Sequence, residues 1–325
     1  MNFSGTIRLN KFGIFIVLCI IFIFGLHVFT KNSEVYSETK KINLSTLLNV
    51  AIKAAENGGK RVVESKENMN VKSKGLTKEG MQESVTNADI LSHCDMTKTI
   101  KYFFPKVKLI SEEDVKNCDD KVNVDFSLMN VVDINNNVIN EEDITIWIDP
   151  LDATHEYTEK LYTYVTTMVC VAVKGKPVMG VIHKPFDKTT SWVWVDKAKS
   201  QDLSNQEPEN KSPSIKVIVS RSHKGDVEKI LQNNFKQKVE IITAAGAGYK
   251  ALEVAKKKVD AYIHTTAIKK WDICAGNAVI NALGGKMVNK FGAELDYSNA
   301  IDVTNKDGLI ASLDKYDTFI GKLDI

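Results

Sequence analysis

The stretch Thr145-Ile146-Trp147-Ile148-Asp149-Pro150-Leu151-Asp152-Ala153-Thr154 decides how the chain is read. Residues 144–148 are β-branched or aromatic and carry no charge, which predicts a buried strand. Pro150 fixes its own φ and biases Asp149 toward an extended backbone, so the strand is expected to stop at Asp149 in a stiff turn. That turn carries two carboxylates and a hydroxyl: Asp149, Asp152 and Thr154. A strand that delivers paired carboxylates to its end suits Mg²⁺, which takes hard oxygen ligands together with water and substrate phosphate. The same spacing also suits a capped turn, with Asp152 closing the segment that follows. Residues elsewhere must separate the two.

The chain has 325 residues, 43% of them hydrophobic, enough for one large core. A net charge of +2 points to neither a nucleic-acid polymer partner nor an acidic tail. The five cysteines are scattered without CxxC spacing, so neither structural zinc nor a disulfide framework is expected. Cys170 reads as a small core residue in an apolar run.

A short tail, residues 1–11, precedes an almost wholly apolar run at 12–29. A cleaved signal peptide would have a shorter apolar core followed by small residues; here Phe29-Thr30-Lys31 follows, which predicts an uncleaved signal anchor. Basic residues flank both sides, so charge bias does not set its orientation. A polar stalk over 30–44 and one catalytic domain over 45–325 complete the organisation. Asn43 and Asn210 would be glycosylation acceptors on the lumenal side.

Working outward, a helix is expected over 45–60, broken at Gly58-Gly59. A lysine- and glycine-rich loop or hairpin follows at 71–80, then a helix over 90–103 introduced by Asp89. A strand at 107–110 leads to Ser111-Glu112-Glu113, and 114–143 reads as a polar surface insertion. Beyond the opening stretch, strands and helices alternate, with Ser220-Arg221-Ser222-His223 after one strand and Ala244-Ala-Gly-Ala-Gly-Tyr-Lys250 opening a helix. Lys269-Lys270-Trp271-Asp272 opens another. Five acids therefore stand at element ends: Asp89, Glu112, Asp149, Asp152 and Asp272. Singly, each has an ordinary reading as a helix cap or solvated charge.

Together, Glu112-Glu113 after a strand, Trp147-Ile-Asp-Pro-Leu-Asp-Ala-Thr154 and Trp271-Asp-Ile-Cys-Ala-Gly276 resemble the three signatures of the lithium-sensitive, magnesium-dependent phosphomonoesterases of the inositol monophosphatase superfamily. The resemblance covers residues 45–325 and implies an α/β fold, a five-layer αβαβα sandwich behind the transmembrane helix. It departs at Ala153, where inositol monophosphatase carries glycine, and in the insertion at 114–143. It implies two to three Mg²⁺ ions held by Asp89, Glu112, Asp149, the Leu151 carbonyl, Asp152 and Asp272, with Thr154 and Asp89 activating the attacking water. No covalent nucleophile is evident; Ser222 and Cys274 qualify only by residue type.

Ser220 to His223 and Gly246 to Lys250 resemble the nucleotide-binding segments of the bisphosphate nucleotidase branch. That implies substrate contacts from Ser220, His223, Gly246 and Lys250 and a nucleotide bisphosphate as the small-molecule partner. Physically, Gly246 and Gly248 at a helix start would leave backbone N–H groups open to an anion. They would equally allow close helix packing, and His223 would equally be a surface residue. With its anchor, the chain resembles the Golgi-resident members of that branch, which hydrolyse the 3′-phosphate of adenosine 3′,5′-bisphosphate, the sulfotransferase by-product, to AMP and phosphate. The resemblance implies a single-pass type II Golgi membrane protein with a lumenal catalytic domain, and is compatible with a homodimer. The alternatives are an inositol phosphate phosphatase and a membrane-tethered binding protein without catalysis.

Overall fold

The computed structural model describes residues 10–35, 40–76, 82–115, 118, 124–128, 131–132, 134, 137–204, 214–221, 227–235, 238–298, 300–314 and 316–320. They form two compact units, 1–40 and 41–325.

In the first unit, helix α1 (Lys11–Val35) exposes Phe12, Phe15, Leu18, Ile21, Phe24 and Leu26. Its side chains are described as far as His27; among the described residues no helix is long and apolar enough to cross a membrane. The helix runs into the expected stalk, and Lys41–Asn43 is a strand paired with Val138–Asn140.

The second unit opens with α2 (Leu44–Ser65), capped by Asn43, whose side chain accepts from the Thr46 N–H. Gly58 and Gly59 do not break it. They let it pack closely: a β-carbon at Gly58 would lie 2.6 Å from Ser92 and Met96, and one at Gly59 2.4 Å from the His183 ring. Strands β1 (Lys72–Leu76) and β2 (Gln82–Val85) form an antiparallel hairpin before α3 (Asn87–Phe103). Next come β3 (Lys108–Ser111) and β4 (Ile144–Asp152), which pair in parallel. The segment between them is not wholly superficial: Val124 and Val132 are buried, and Ser45 and Asn49 of α2 donate to the Val132 carbonyl.

Strand β4 is buried at every position and does not stop at Asp149. It continues through Pro150 to Asp152 because a bulge absorbs the residue that cannot donate. Short α4 (Thr154–Thr158) follows; then β5 (Thr166–Val173), β6 (Lys176–Lys184), β7 (Thr189–Trp194) and β8 (Ala198–Lys199) complete an antiparallel run. The six-stranded sheet has the order β8-β7-β6-β5-β4-β3.

The second sheet comprises β9 (Ile215–Ser220), β10 (Val239–Ala244), β11 (Ala261–His264), β12 (Lys286–Val288) and β13 (Leu309–Ser312), in the order β10-β9-β11-β13-β12. Its helices are α5 (Val227–Asn234), α6 (Ala247–Ala255), α7 (Lys270–Ala282) and α8 (Tyr316–Phe319). Helices α2 and α3 cover one face of the first sheet, α6 and α7 lie between the sheets, and α5 and α8 cover the outer face of the second. The layers run α, β, α, β, α, and the acids at strand ends and at the starts of α3 and α7 come within electrostatic range of one another.

Contrary to expectation, four cysteines pair. Cys94 bonds to Cys118, and Cys170 bonds to Cys274. Cys170 is therefore more than a small core residue: it ties β5 to α7. Scattered spacing hid both bonds because each joins elements brought together only by folding.

Candidate active site

Asp89 is the third residue of α3 and closes a capping box. The Thr86 backbone N–H donates to its Oδ2 at 2.7 Å and the Thr86 hydroxyl donates to the same oxygen at 2.6 Å. The Thr154 hydroxyl lies 2.9 Å from Asp89 Oδ1 and 3.0 Å from the Leu151 carbonyl, both acceptors for its one proton. Burial pushes Asp89 up to about 6 despite these donors. Asp272 plays the same structural part at the start of α7, accepting from the Lys269 backbone N–H at 3.2 Å. The ordinary cap reading thus holds for both acids, and each is also turned into the interior cluster.

Asp149 accepts from the Leu151 N–H at 3.1 Å. Burial, and then the neighbouring Glu112, Asp152, Asp272 and Asp89, push its carboxyl well above the usual range. Asp272 is raised likewise by burial, Glu112 and Asp152. Glu112 is pushed up to about 7, chiefly by burial, with Lys74 opposing. Four chain segments therefore bring five carboxylates into mutual electrostatic range, at a cost in a low-dielectric interior that only compensating positive charge offsets.

Asp152 corrects one sequence expectation. The N–H groups at the start of α6 are not left for an external anion. Ala247 N donates to Asp152 Oδ1 at 3.1 Å, and Gly248 N donates to Oδ2 at 2.8 Å. The Thr166 hydroxyl adds a third bond at 3.1 Å. Gly246 and Gly248 permit this approach: a β-carbon would lie 2.6 Å from the Tyr164 carbonyl at the first and 2.5 Å from the Thr166 hydroxyl at the second. Gly246 also has φ +69° with ψ 126°, a conformation that needs glycine. The close-packing reading of the two glycines prevails.

Lys250 is buried rather than presented to solvent. Its Nζ donates to the Gly246 carbonyl at 2.7 Å and stands 5.1 Å from the Tyr262 ring centre. Burial pulls it down to about 8, while Asp152, Glu156 and Asp272 hold it up. It serves as an internal counter-charge for the acids. Ser220 ends β9 beside Ala244 of β10, so its segment adjoins the turn that opens α6. His223, Ser222 and Asn210 lie outside the described residues.

Two cations were missed in the sequence. Lys74, in the β1–β2 hairpin, donates to Glu112 at 2.9 Å and to Glu113. Arg221 Nη1 reaches Glu159 at 3.2 Å and Glu156 at 3.6 Å, tying the Ser220 segment to α4. Lysine enrichment over 71–80 is the one signal for Lys74; Arg221 lies inside the Ser220–His223 motif, but nothing local signals its partners Glu156 and Glu159.

Among the described residues no three His, Cys, Asp or Glu side chains converge on one ion position. The acids are instead engaged with Thr86, Thr154, Leu151, Ala247, Gly248, Lys269 and Lys74. Their chemistry nevertheless fits Mg²⁺: carboxylate oxygens, a nearby backbone carbonyl and no sulfur or imidazole.

The fold and site together define a layered α/β phosphatase class. The inositol monophosphatase family model matches residues 43–319, and the chain belongs to that family, whose members are metal-dependent phosphatases, typically using Mg²⁺. It is 47% identical to "Inositol monophosphatase 3" of Xenopus tropicalis over 84% of this chain and 78% of the relative. It is 44% identical to the mouse "Golgi-resident adenosine 3′,5′-bisphosphate 3′-phosphatase" over 86% of this chain and 81% of the relative. Among solved structures, the suhB protein of Bartonella henselae aligns with a TM-score of 0.65 at 19% identity, covering 86% of this chain and all of that one; this likeness speaks for the fold alone.

Proposed function

We propose that this chain is a Mg²⁺-dependent phosphomonoesterase that hydrolyses the 3′-phosphate of adenosine 3′,5′-bisphosphate to AMP and phosphate. The observation that carries the reading is the set of buried and half-buried carboxylates around the Thr154–Asp89 pair, 2.9 Å apart. Asp149, Asp152 and Asp272, with Glu112, Asp89 and the Leu151 carbonyl, would hold two to three Mg²⁺ ions. When bound, Mg²⁺ supplies a lowered water pKa and positive charge for the phosphoryl oxygens. The Thr154 hydroxyl donates to Asp89 Oδ1, so its oxygen accepts from the attacking water; as the water attacks, its proton passes to the Thr154 oxygen while the Thr154 proton passes to Asp89. Asp152, fixed by two backbone N–H groups, keeps its orientation at little cost during reaction.

The nucleotide assignment draws on placement and relatives. Ser220 and the Gly246 turn sit at the carboxyl ends of adjacent parallel strands β9 and β10, where open α/β sheets bind ligands. Ser220, His223 and Gly246 remain the proposed substrate-side residues, and Lys250 acts from within as counter-charge. The mouse relative's name specifies the same substrate. Phosphate release by the purified chain from adenosine 3′,5′-bisphosphate, with and without Mg²⁺, tests this; no release with Mg²⁺ present would sink it. The second reading, an inositol phosphate substrate, follows from the name of the Xenopus relative; faster turnover of inositol 1,4-bisphosphate would select it. A binding protein without catalysis would release phosphate from neither.

We also place the chain in the Golgi membrane, with α1 as a signal anchor and residues 45–325 in the lumen. The exposed apolar side chains of α1 support the anchor. The two disulfides support an oxidising compartment. Protease protection in sealed vesicles tests the topology; digestion of the catalytic unit from the cytoplasmic side would reverse it.

A further inference from the structure

Each disulfide ties a helix that carries an acid of the site to a segment that adjoins another acid-bearing segment or follows it in the chain. Cys170 lies on β5 opposite Trp147, two residues before Asp149 on β4. Cys274 lies on α7, two residues after Asp272, and the bond holds the two Cα atoms 5.7 Å apart. The same patch is built for close contact. Gly180 of β6 is the cross-strand partner of Cys170, and a β-carbon there would lie 2.3 Å from the Ala275 carbonyl of α7. On the opposite side of α7, a β-carbon at Gly276 would lie 2.7 Å from Ala251 of α6. The second bond repeats the pattern: Cys94 follows Asp89 on α3, Cys118 follows Glu112 in the chain, and their Cα atoms are 5.5 Å apart.

Buried like charges push their carriers apart. Asp149 and Asp272 repel across β4 and α7, and Asp89 and Glu112 repel across α3 and the end of β3. We propose that Cys170–Cys274 and Cys94–Cys118 are positioning elements: the first holds α7 with Asp272 against β5, the ladder partner of the strand that bears Asp149, and the second holds α3 with Asp89 against the chain that follows Glu112, so that the carboxylates are prearranged for divalent cation. The proposal rests on the metal reading of these acids given above.

The test uses the full chain in detergent with Mn²⁺ as probe, free Mn²⁺ being read by electron paramagnetic resonance, beside Mg²⁺-dependent phosphate release. In Cys170→Ala/Cys274→Ala, Mn²⁺ affinity should fall about tenfold, the size usual for losing support behind metal ligands. Excess Mg²⁺ should restore kcat, and KM for the nucleotide should move less than about twofold. A variant that melts earlier yet binds Mn²⁺ like the parent would show that the bond only stabilises. Cys94→Ser/Cys118→Ser should weaken Mn²⁺ binding in the same sense, and unchanged binding would remove that bond from the proposal. Should either variant fail to fold, the parent protein still decides. By reciprocity, saturating Mg²⁺ must make the two disulfides harder to reduce at equilibrium in a dithiol redox buffer, read by thiol trapping and mass spectrometry; an unchanged equilibrium overturns the proposal. Failure of the metal reading looks different: the parent and Asp149→Asn would then take up Mn²⁺ alike.

Discussion

Two kinds of helix start surround the acids, and they differ in where the closing carboxylate comes from. Helices α3 and α7 are closed by their own third residues, Asp89 and Asp272. Helix α6 is closed by Asp152, which lies 95 positions before Ala247 and arrives from another sheet. Asp89 gives one oxygen to its cap and the other to Thr154, whereas both oxygens of Asp152 are engaged by α6. The helix N-terminus that could have received a substrate anion is used to fix a carboxylate instead. A local cap orients an acid within its own element; a remote cap also locks two layers together.

Removing the acids should give the largest effects. Asp152→Ala and Asp272→Ala should each lower turnover by about 10³-fold, roughly 4 kcal/mol in the barrier. Denaturant melts without Mg²⁺ should separate them: the remote cap should cost about 1–2 kcal/mol more than the local one. Asp152→Ala that merely halves activity would defeat the metal assignment, and equal melts would erase the contrast.

His183 probes a remote contact through pH. Its ring sits against Gly59 of α2, with Nδ1 2.9 Å from the Thr190 hydroxyl. Burial pulls it from 6.5 down to about 4. The native ring stays neutral while the unfolded ring takes a proton below its ordinary pKa. Its contribution is therefore complete above pH ~6.5 and is lost as pH falls toward ~4, by up to about 3 kcal/mol. Urea melts across this window should show a shallower fall for His183→Gln; identical pH profiles would count against the neutral buried ring.

Smaller changes sharpen the picture. Gly248→Ala places a methyl 2.5 Å from the Thr166 hydroxyl and 2.7 Å from the Met168 sulfur, and should cost about 2 kcal/mol with a rise in the Mg²⁺ needed for activity. A neutral melt would mean that the α6–Asp152 contact is looser than its distances imply. Ala153 occupies the left-handed region at φ 67°. Ala153→Gly relieves that strain but adds freedom to the unfolded chain, so a net gain of about 0.5 kcal/mol is expected in thermal melts. A loss there would place the strain elsewhere.

Legibility in the sequence follows the same local-versus-remote divide. Asp89 and Asp272 were readable because a cap acid stands three positions after the N–H that donates to it, a spacing the chain itself displays. Strand β4 was readable from its run of branched side chains, but its passage through Pro150 depends on Met168 and Thr166 across the ladder. The Gly58-Gly59 pair looked like a break because its value lies in Ser92, Met96 and His183, which only packing brings near. The disulfides, the Lys74 pairing and the occupation of the α6 start by Asp152 share that character: one partner's identity is plain, and the other is chosen by the fold. The family signatures succeeded in naming the family because they are read in the order in which the chain supplies them and need no knowledge of the fold.

The bulge in β4 settles a question of parity. On an unbroken strand, residues 149 and 152 are an odd number apart and would face opposite sides of the sheet. Their partners are Met168 and Thr166, an even number apart and therefore on one side. The extra residue resets the alternation, so that Asp149 and Asp152 share a face although their spacing alone forbids it. Pro150 and Leu151 are thus a phase shifter as much as a turn. Deleting either one would remove the bulge yet keep the two acids on one face, two apart on a regular ladder, whereas deleting both would set them next to each other on opposite faces.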